Sequence, residues 1–150
     1  MPAAARVTLD TNILIYAVDA SEGEKNRTAA KLLLRIAEAR QPLMLQALNE
    51  FAAVVRKRRL MSSVNLKRML EFHQEAFEIE PPSLDDLHTA IKANEDHKLP
   101  IWDALLWATA RRTGCSILLS EDFQHERELG GVRLLNPFRL SARELTSLLP

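Results

Sequence analysis

Four acidic residues stand where an apolar run would be expected to continue. Asp10 interrupts "VTLDTNILIYAVD" (Val7 to Asp19), Glu50 lies inside "QALNEFAAVV", Asp103 lies inside "PIWDALLWATA", and Asp122 follows "SILLS", with Phe123 beside it to anchor the turn. A carboxylate taken out of water destabilises the fold or takes up a proton unless it is paired, hydrogen-bonded or bound to a cation. Ala47 and Val54 stand three before and four after Glu50, while Leu106, Trp107 and Ala110 follow Asp103 at plus three, plus four and plus seven. Both acids therefore sit on a stripe that a helix would bury. Each of the four has an ordinary explanation. Asp10 caps the short helix that follows it, Glu50 pairs with an arginine, Asp103 sits in a first helical turn, and Asp122 is a turn residue. Four such acids converging are harder to explain that way, because like charges repel and some would hold protons unless a hard divalent cation neutralised them. Mg²⁺ or Mn²⁺ fits, since these ions prefer oxygen ligands and keep several waters, leaving room for phosphate oxygens and an attacking water of lowered pKa. The chemistry is phosphodiester hydrolysis. Thr11, Asn12 and Ser120 would orient carboxylates, water or phosphate, and each also reads as an ordinary turn or cap residue.

The elements that must gather these residues alternate along the chain. Val7 to Leu9, Leu43 to Gln46, Ala76 to Glu80, Cys115 to Ser120 and Val132 to Asn136 read as short buried strands. Helices are predicted over Glu24 to Arg40, Ala47 to Arg59, Ser63 to Gln74, Leu84 to Asn94 and Trp102 to Arg112, the last closing on Gly114. Such alternation favours a parallel sheet covered on both faces, which collects ligands at the carboxyl ends of its strands, where Asp10 and Asp122 fall. Glu80 to Ser83 is a turn, and no repeat or linker divides the chain, so residues 1–150 are expected to form one domain.

Twenty Lys and Arg balance twenty Asp and Glu, so no global field argues for nucleic acid and any charged site must be local. One cysteine, Cys115, excludes an internal disulfide, and with no apolar leader at the N-terminus a cytoplasmic location is expected. No apolar run is long enough for a membrane span. His73, His88, His97 and His125 form no i,i+4 pair and read mainly as surface residues, which disfavours zinc. Four glycines, Gly23, Gly114, Gly130 and Gly131, make no phosphate-binding loop, and a D-x-D phosphatase would need its second acid where Asn12 stands. The basic block Arg56 to Arg59 reads first as a solvated helix end and second as a set of RNA phosphate contacts, with Lys67, Arg68, Arg111 and Arg112 as further basic surface. Trp102 and Trp107 read as core.

Taken in order, "LDTNILIYAVD", "QALNEF", "WDALLWATARRTGC" and "LLSEDFQ" resemble the motifs of PIN-domain nucleases over nearly the whole chain, and the ending "SEDFQHERELGGVRLLNPF" is similar to that of bacterial VapC-type toxins. The resemblance implies a three-layer α/β/α sandwich with a central, mainly parallel sheet. It also implies a Mg²⁺- or Mn²⁺-dependent endoribonuclease, a homodimer, and a cognate antitoxin whose tail covers the acidic groove. By matching motif, Asp10, Glu50, Asp103 and Asp122 correspond to the acidic quartet, with Asn12 and Ser120 as polar supports; Glu121 is adjacent to Asp122 and a candidate to share its role. The chain departs from the pattern at Glu126, where similar proteins often carry glycine. Two rivals remain at this stage, a noncatalytic PIN-like module that binds RNA or protein, and a metal-dependent DNA nuclease with the same site.

Overall fold

A computed structural model describes residues 5–149; residues 1–4 and 150, which the single-domain expectation includes, lie outside the described residues. Strand β1 (Val7–Leu9) runs into helix α1 (Thr11–Val18), a 3-10 turn (Ala20–Glu22) and α2 (Glu24–Glu38). Next come β2 (Pro42–Met44), α3 (Leu45–Arg58), α4 (Ser63–Ala76), β3 (Glu78–Glu80), α5 (Leu84–His97) and α6 (Ile101–Arg112). The chain ends with β4 (Ile117–Leu119), β5 (Arg127–Leu129), β6 (Val132–Leu135), a second 3-10 turn (Pro137–Arg139) and α7 (Ala142–Leu148).

The strands form one sheet in the order β1-β4-β6-β5 and a parallel pair, β2-β3. β1, β4 and β6 are parallel, with Leu9 opposite Leu119 and Leu119 opposite Leu135. Gln41 stitches the pair to the sheet, its side-chain carbonyl accepting from the Val7 amide at 2.8 Å and its backbone carbonyl from the Glu78 amide at 3.1 Å. Every residue of β1, β2 and β4 is buried, as expected for parallel strands covered on both faces. The result is the three-layer α/β/α arrangement that the family resemblance implies, with the mainly parallel, doubly covered sheet that the alternation of elements predicts. Its core runs through Leu9, Leu118, Leu119 and Leu134 in the sheet and Ile13, Phe51, Ala104 and Ala110 on the helices.

Several boundaries differ from the sequence reading, each for a physical reason. β2 passes directly into α3 with Met44 as an N-cap that makes no side-chain bond, so Gln46 belongs to the helix rather than to the strand. Ala76 closes α4 rather than opening β3. α2 stops at Glu38, short of Arg40, which adopts a left-handed backbone with φ 47°. The antiparallel strand β5, which the sequence reading does not contain, is joined to β6 by Gly130 and Gly131, both at positive φ (56° and 84°), with Leu129 opposite Val132. That is the backbone a two-residue hairpin turn of type I′ requires. A Cβ at Gly130 would also stand 2.9 Å from Trp107 Cζ2, so glycine there serves packing as well as the turn.

Two side chains sit against expectation. Trp107 is core and donates its indole N–H to the Leu129 carbonyl at 3.1 Å, but Trp102 is 65% exposed, because it stands in the first turn of α6, ahead of the stretch Ala104 to Ala110 in which every residue is buried. His73, expected at the surface, is buried against Phe51, Phe72 and Phe77, with its Nδ1 unpartnered. Desolvation there pushes its pKa down to about 4 and keeps the ring neutral.

Candidate active site

Parallel pairing of β1 with β4 brings two strand ends side by side. The Asp10 amide donates to the Leu119 carbonyl and the Ser120 amide to the Leu135 carbonyl, each at 2.9 Å, so Asp10 and Ser120 emerge together at the carboxyl edge. Asp10 is almost fully buried and caps α1. Its Oδ1 accepts from the Thr11 amide and its Oδ2 from the Ser120 hydroxyl, both at 2.6 Å. The Ser120 oxygen in turn accepts from the Asp122 amide at 3.0 Å and from Asn12 Nδ2 at 3.3 Å, making that hydroxyl the hub of the turn. Burial pushes the Asp10 carboxyl up to about 6, against the pull of these two hydrogen bonds and with help from the neighbouring Asp122 and Asp103 charges. The capping explanation is thus correct and incomplete, since a cap in ordinary surroundings carries no such burden.

Glu50 reaches the same place from the middle of α3. The Thr11 hydroxyl lies 3.1 Å from both Glu50 Oε2 and the Ala47 carbonyl, so its single proton is shared between them and ties α1 to α3. Gln46, one helical turn before Glu50, donates to Glu50 Oε1 at 3.2 Å and to the Trp102 carbonyl at 2.9 Å, which fixes α3 against the start of α6. No arginine pairs with Glu50 among the described residues. Asp103, in the first turn of α6, is half-buried, and burial with the Asp122 and Glu50 charges raises its carboxyl above the usual range. Asp122 is exposed at the rim.

These side chains line one pocket of about 320 Å³, walled by Asp10, Thr11, Asn12, Glu50, Asp103 and Asp122. All four acids that the sequence singles out therefore converge, together with Thr11 and Asn12; Ser120 supports them from behind. Glu121 does not. Its carboxylate is taken by the Tyr16 hydroxyl and by Lys25 Nζ, both at 2.6 Å, so it is not placed to share the role of Asp122. Ile15, Tyr16, Glu22, Val54 and Arg58 complete the wall; the sequence reading singles out only Arg58 among them as a candidate contact, within the basic block Arg56 to Arg59, and does not join it to the acids. For Val54 and Arg58 the signal was present: Glu50, Val54 and Arg58 recur every four residues along α3. For Glu22 there was none, since only the 3-10 turn after α1 folds it back. Glu126 occupies the position where the resemblance expects glycine, and its φ of 64° shows the left-handed backbone that glycine would adopt without strain.

The donor set suits a hard divalent cation, being all oxygen and short of compensating charge. Among the described residues no three His, Cys, Asp or Glu side chains are grouped closely enough to enclose an ion as they stand. Mg²⁺ does not require such a cage, because it keeps several waters and takes one or two carboxylates directly.

An acidic pocket at the carboxyl edge of a parallel sheet, within an α/β/α domain, is the class of protein that fold and site together define. The family model for the PIN domain matches residues 7–127, and the chain belongs to that family. Solved structures agree on the fold. A toxin–antitoxin complex from Klebsiella pneumoniae superposes with a TM-score of 0.63 at 22% identity, covering 89% of this chain and 99% of that one. FitAcB from Neisseria gonorrhoeae gives 0.59 at 18% identity, covering 89% and 99%. VapC20 from Mycobacterium tuberculosis, a toxin that cleaves the sarcin-ricin loop, gives 0.59 at 17% identity, covering 77% and 91%. No curated protein matches the sequence.

Proposed function

We propose that this chain is a divalent-metal-dependent endoribonuclease, the toxin of a bacterial toxin–antitoxin pair. The observation that carries the reading is the convergence of Asp10, Glu50, Asp103 and Asp122 on one pocket whose buried member, Asp10, has its carboxyl raised to about 6. Asp10, Glu50 and Asp103 would hold Mg²⁺ or Mn²⁺, with Asp122 completing the site from the rim. When bound, such an ion polarises the phosphodiester and lowers the pKa of a water beside it. The chain's own part is orientation. Thr11 and Ser120 fix both oxygens of Asp10, Thr11 and Gln46 hold the two oxygens of Glu50, and Asn12 steadies the turn that carries Asp122. Because a ligand carboxyl must be ionised, a cation held by Asp10 would compete with the proton that burial favours, and would supply the counter-charge that the cluster of acids lacks.

The toxin assignment is supported by the PIN family and by the toxins and toxin–antitoxin complexes among the structural neighbours. It carries with it a cognate antitoxin covering the acidic groove, an RNA substrate and a cytoplasmic setting; among the described residues no helix is long and apolar enough to cross a membrane. A homodimer is part of the same proposal, supported by the exposed Leu84, Leu87 and Ile91 on α5 and by Ile101 and Trp102 at the start of α6. The open ligand grouping favours one second reading, a noncatalytic module that binds RNA or protein.

Replacing Asp10 or Asp103 by Asn is expected to lower Mn²⁺-dependent cleavage of single-stranded RNA by at least about 10²-fold while the circular dichroism spectrum is retained, since several kcal/mol of charge stabilisation depend on the ligands. Mn²⁺ should also raise the melting temperature of the wild type in a concentration-dependent way and not that of the variants. Unchanged turnover in the variants refutes the assignment, and a wild type indifferent to Mn²⁺ in both assays leaves the binding module standing. Running DNA of the same sequence beside the RNA separates the two nucleases.

A further inference from the structure

The wall of the acidic pocket contains one cationic side chain, Arg58, against five carboxylates, those of Asp10, Glu22, Glu50, Asp103 and Asp122. It is the only member of the Arg56 to Arg59 block to line the pocket. Arg56 instead hydrogen-bonds the Ser63 hydroxyl at the start of α4, and Arg59 turns the chain out of α3 in a left-handed conformation. Arg58 lies eight residues beyond Glu50 on the same stripe of α3, an axial offset of about 12 Å. It therefore stands at the end of the pocket away from Gln46 and Trp102.

Its guanidinium is held without being used up. Nη2 donates to Asp19 Oδ2 at 2.6 Å, and Asp19 is itself buried, with Oδ1 accepting from the Ser21 hydroxyl at 2.6 Å and the Ser21 amide at 3.1 Å. Asp19 thus has both oxygens committed on a fixed turn. The Arg58 side chain remains 45% exposed, and its Nε and Nη1 meet no protein acceptor among the described residues. A fork anchored at one nitrogen, partly exposed on the wall of the pocket and with other N–H groups unpaired, is pre-organised for an oxyanion with two acceptor oxygens. An arginine meant only to neutralise the acids would lie against one of the four metal-site carboxylates. Arg58 bonds none of them.

We infer that Arg58, aligned by the buried Asp19, binds a backbone phosphate of the RNA strand next to the one the acids address, and so sets the position of the strand in the groove. The inference rests on the nuclease reading and deepens it by naming the residue that seats the substrate. Asp19 is a positioning residue that acts through Arg58.

The test is steady-state cleavage of a single-stranded RNA in Mn²⁺ at several salt concentrations. Compared with wild type, Arg58→Ala is expected to raise KM about tenfold with kcat little changed, and to flatten the dependence of log(kcat/KM) on log salt by about 0.7, the slope carried by one phosphate contact on a single strand. Arg58→Lys should restore the salt slope but only part of the affinity, because an ammonium lacks the fork. Asp19→Asn should raise KM by less than Arg58→Ala and leave the salt slope at its wild-type value. Removing Arg58 strands a buried carboxylate, so the double variant Asp19→Asn with Arg58→Ala, which leaves no such charge, is measured beside it and should show the same KM and slope as Arg58→Ala. Wild-type KM and slope in that double variant, with Asp103→Asn inactive, overturn the role of Arg58 and spare the nuclease. A wild-type chain that neither binds nor cuts the RNA overturns both.

Discussion

At the residue scale the site is a problem of charge without a counterion. The Asp10 carboxyl stands at about 6 against 3.8 in an unfolded chain, chiefly through burial. The folded value is the higher one, so Asp10's contribution to stability is fully present below pH 3.8 and is lost as pH rises through about 6, amounting to about 3 kcal/mol in all. Asp10→Asn should abolish that loss. In a chelator at pH 7.5 the variant is expected to unfold at higher urea than wild type, by about 1–3 kcal/mol, and at pH 4 the two should converge. A variant less stable than wild type at pH 7.5 would show that the carboxylate is content as it lies and asks for no cation. The same residues show what the sequence could disclose. Acids inside apolar runs were visible because their nearest neighbours at helical or strand spacing are apolar, as Ala47 and Val54 are for Glu50. Trp102 and His73 were misread because residue type says little about what packs over a helix; Trp102 stands in the first turn of α6, before the helix enters the core that covers Trp107, and His73 is buried by three phenylalanines that only tertiary packing assembles.

At the element scale, the helices were legible and the strands only partly so. α2 to α6 each run twelve residues or more, long enough for a 3.6-residue period to repeat, whereas β1 to β5 have three residues each and β6 four, too short for any alternation to be read. β5 had a different signal, the Gly130-Gly131 pair between two short runs, which by itself marks a hairpin. One lock between elements is independent of the acidic pocket. Asp86, buried, forms a capping box with Ser83 at the start of α5 and accepts Arg112 Nε with both oxygens, at 2.9 and 3.0 Å, while Arg112 Nη2 bonds the Pro81 carbonyl at 2.9 Å. Burial alone would raise the Asp86 carboxyl, but the Ser83 amide and the Arg112 guanidinium together hold it below the ordinary aspartate range. Asp86→Ala removes the cap and the pair at once. Because Arg112 is partly exposed and can rehydrate, the cost is expected at about 2 kcal/mol, a fall of about 4–8 °C in Tm, rather than that of a fully buried pair. RNA cleavage below the transition should be unaffected, and its loss in a folded variant would mean that α5 and α6 transmit more to Asp103 than packing.

At the scale of the whole molecule, one face is unfinished. Leu84, Leu87 and Ile91 recur at three- and four-residue spacing on the outer side of α5, exposed by 70%, 39% and 45%, and Ile101 and Trp102 are exposed at the start of α6, the helix that packs against α5. Scattered exposed leucines need no account, but a row of them at helical spacing on a helix whose other side packs against α6 is a surface shaped to be covered. The proposed homodimer supplies the cover, and an isologous contact would place α5 of one protomer against the same patch of its partner. It would also set Trp102, the residue before Asp103, at the junction between interface and pocket, so that assembly and ligand geometry meet at the first turn of α6. Ile91→Glu with Leu87→Glu should then convert a species of twice 17.0 kDa into one of 17.0 kDa in sedimentation equilibrium, at little cost to the protomer's own melting, since neither side chain belongs to the core. Wild-type protein sedimenting as a monomer at tens of micromolar would leave the homodimer without support while touching nothing argued for the acids. A monomeric double variant with weaker Mn²⁺ binding, in contrast, would place the coupling at Trp102, because α6 alone connects the apolar face to a carboxylate of the site.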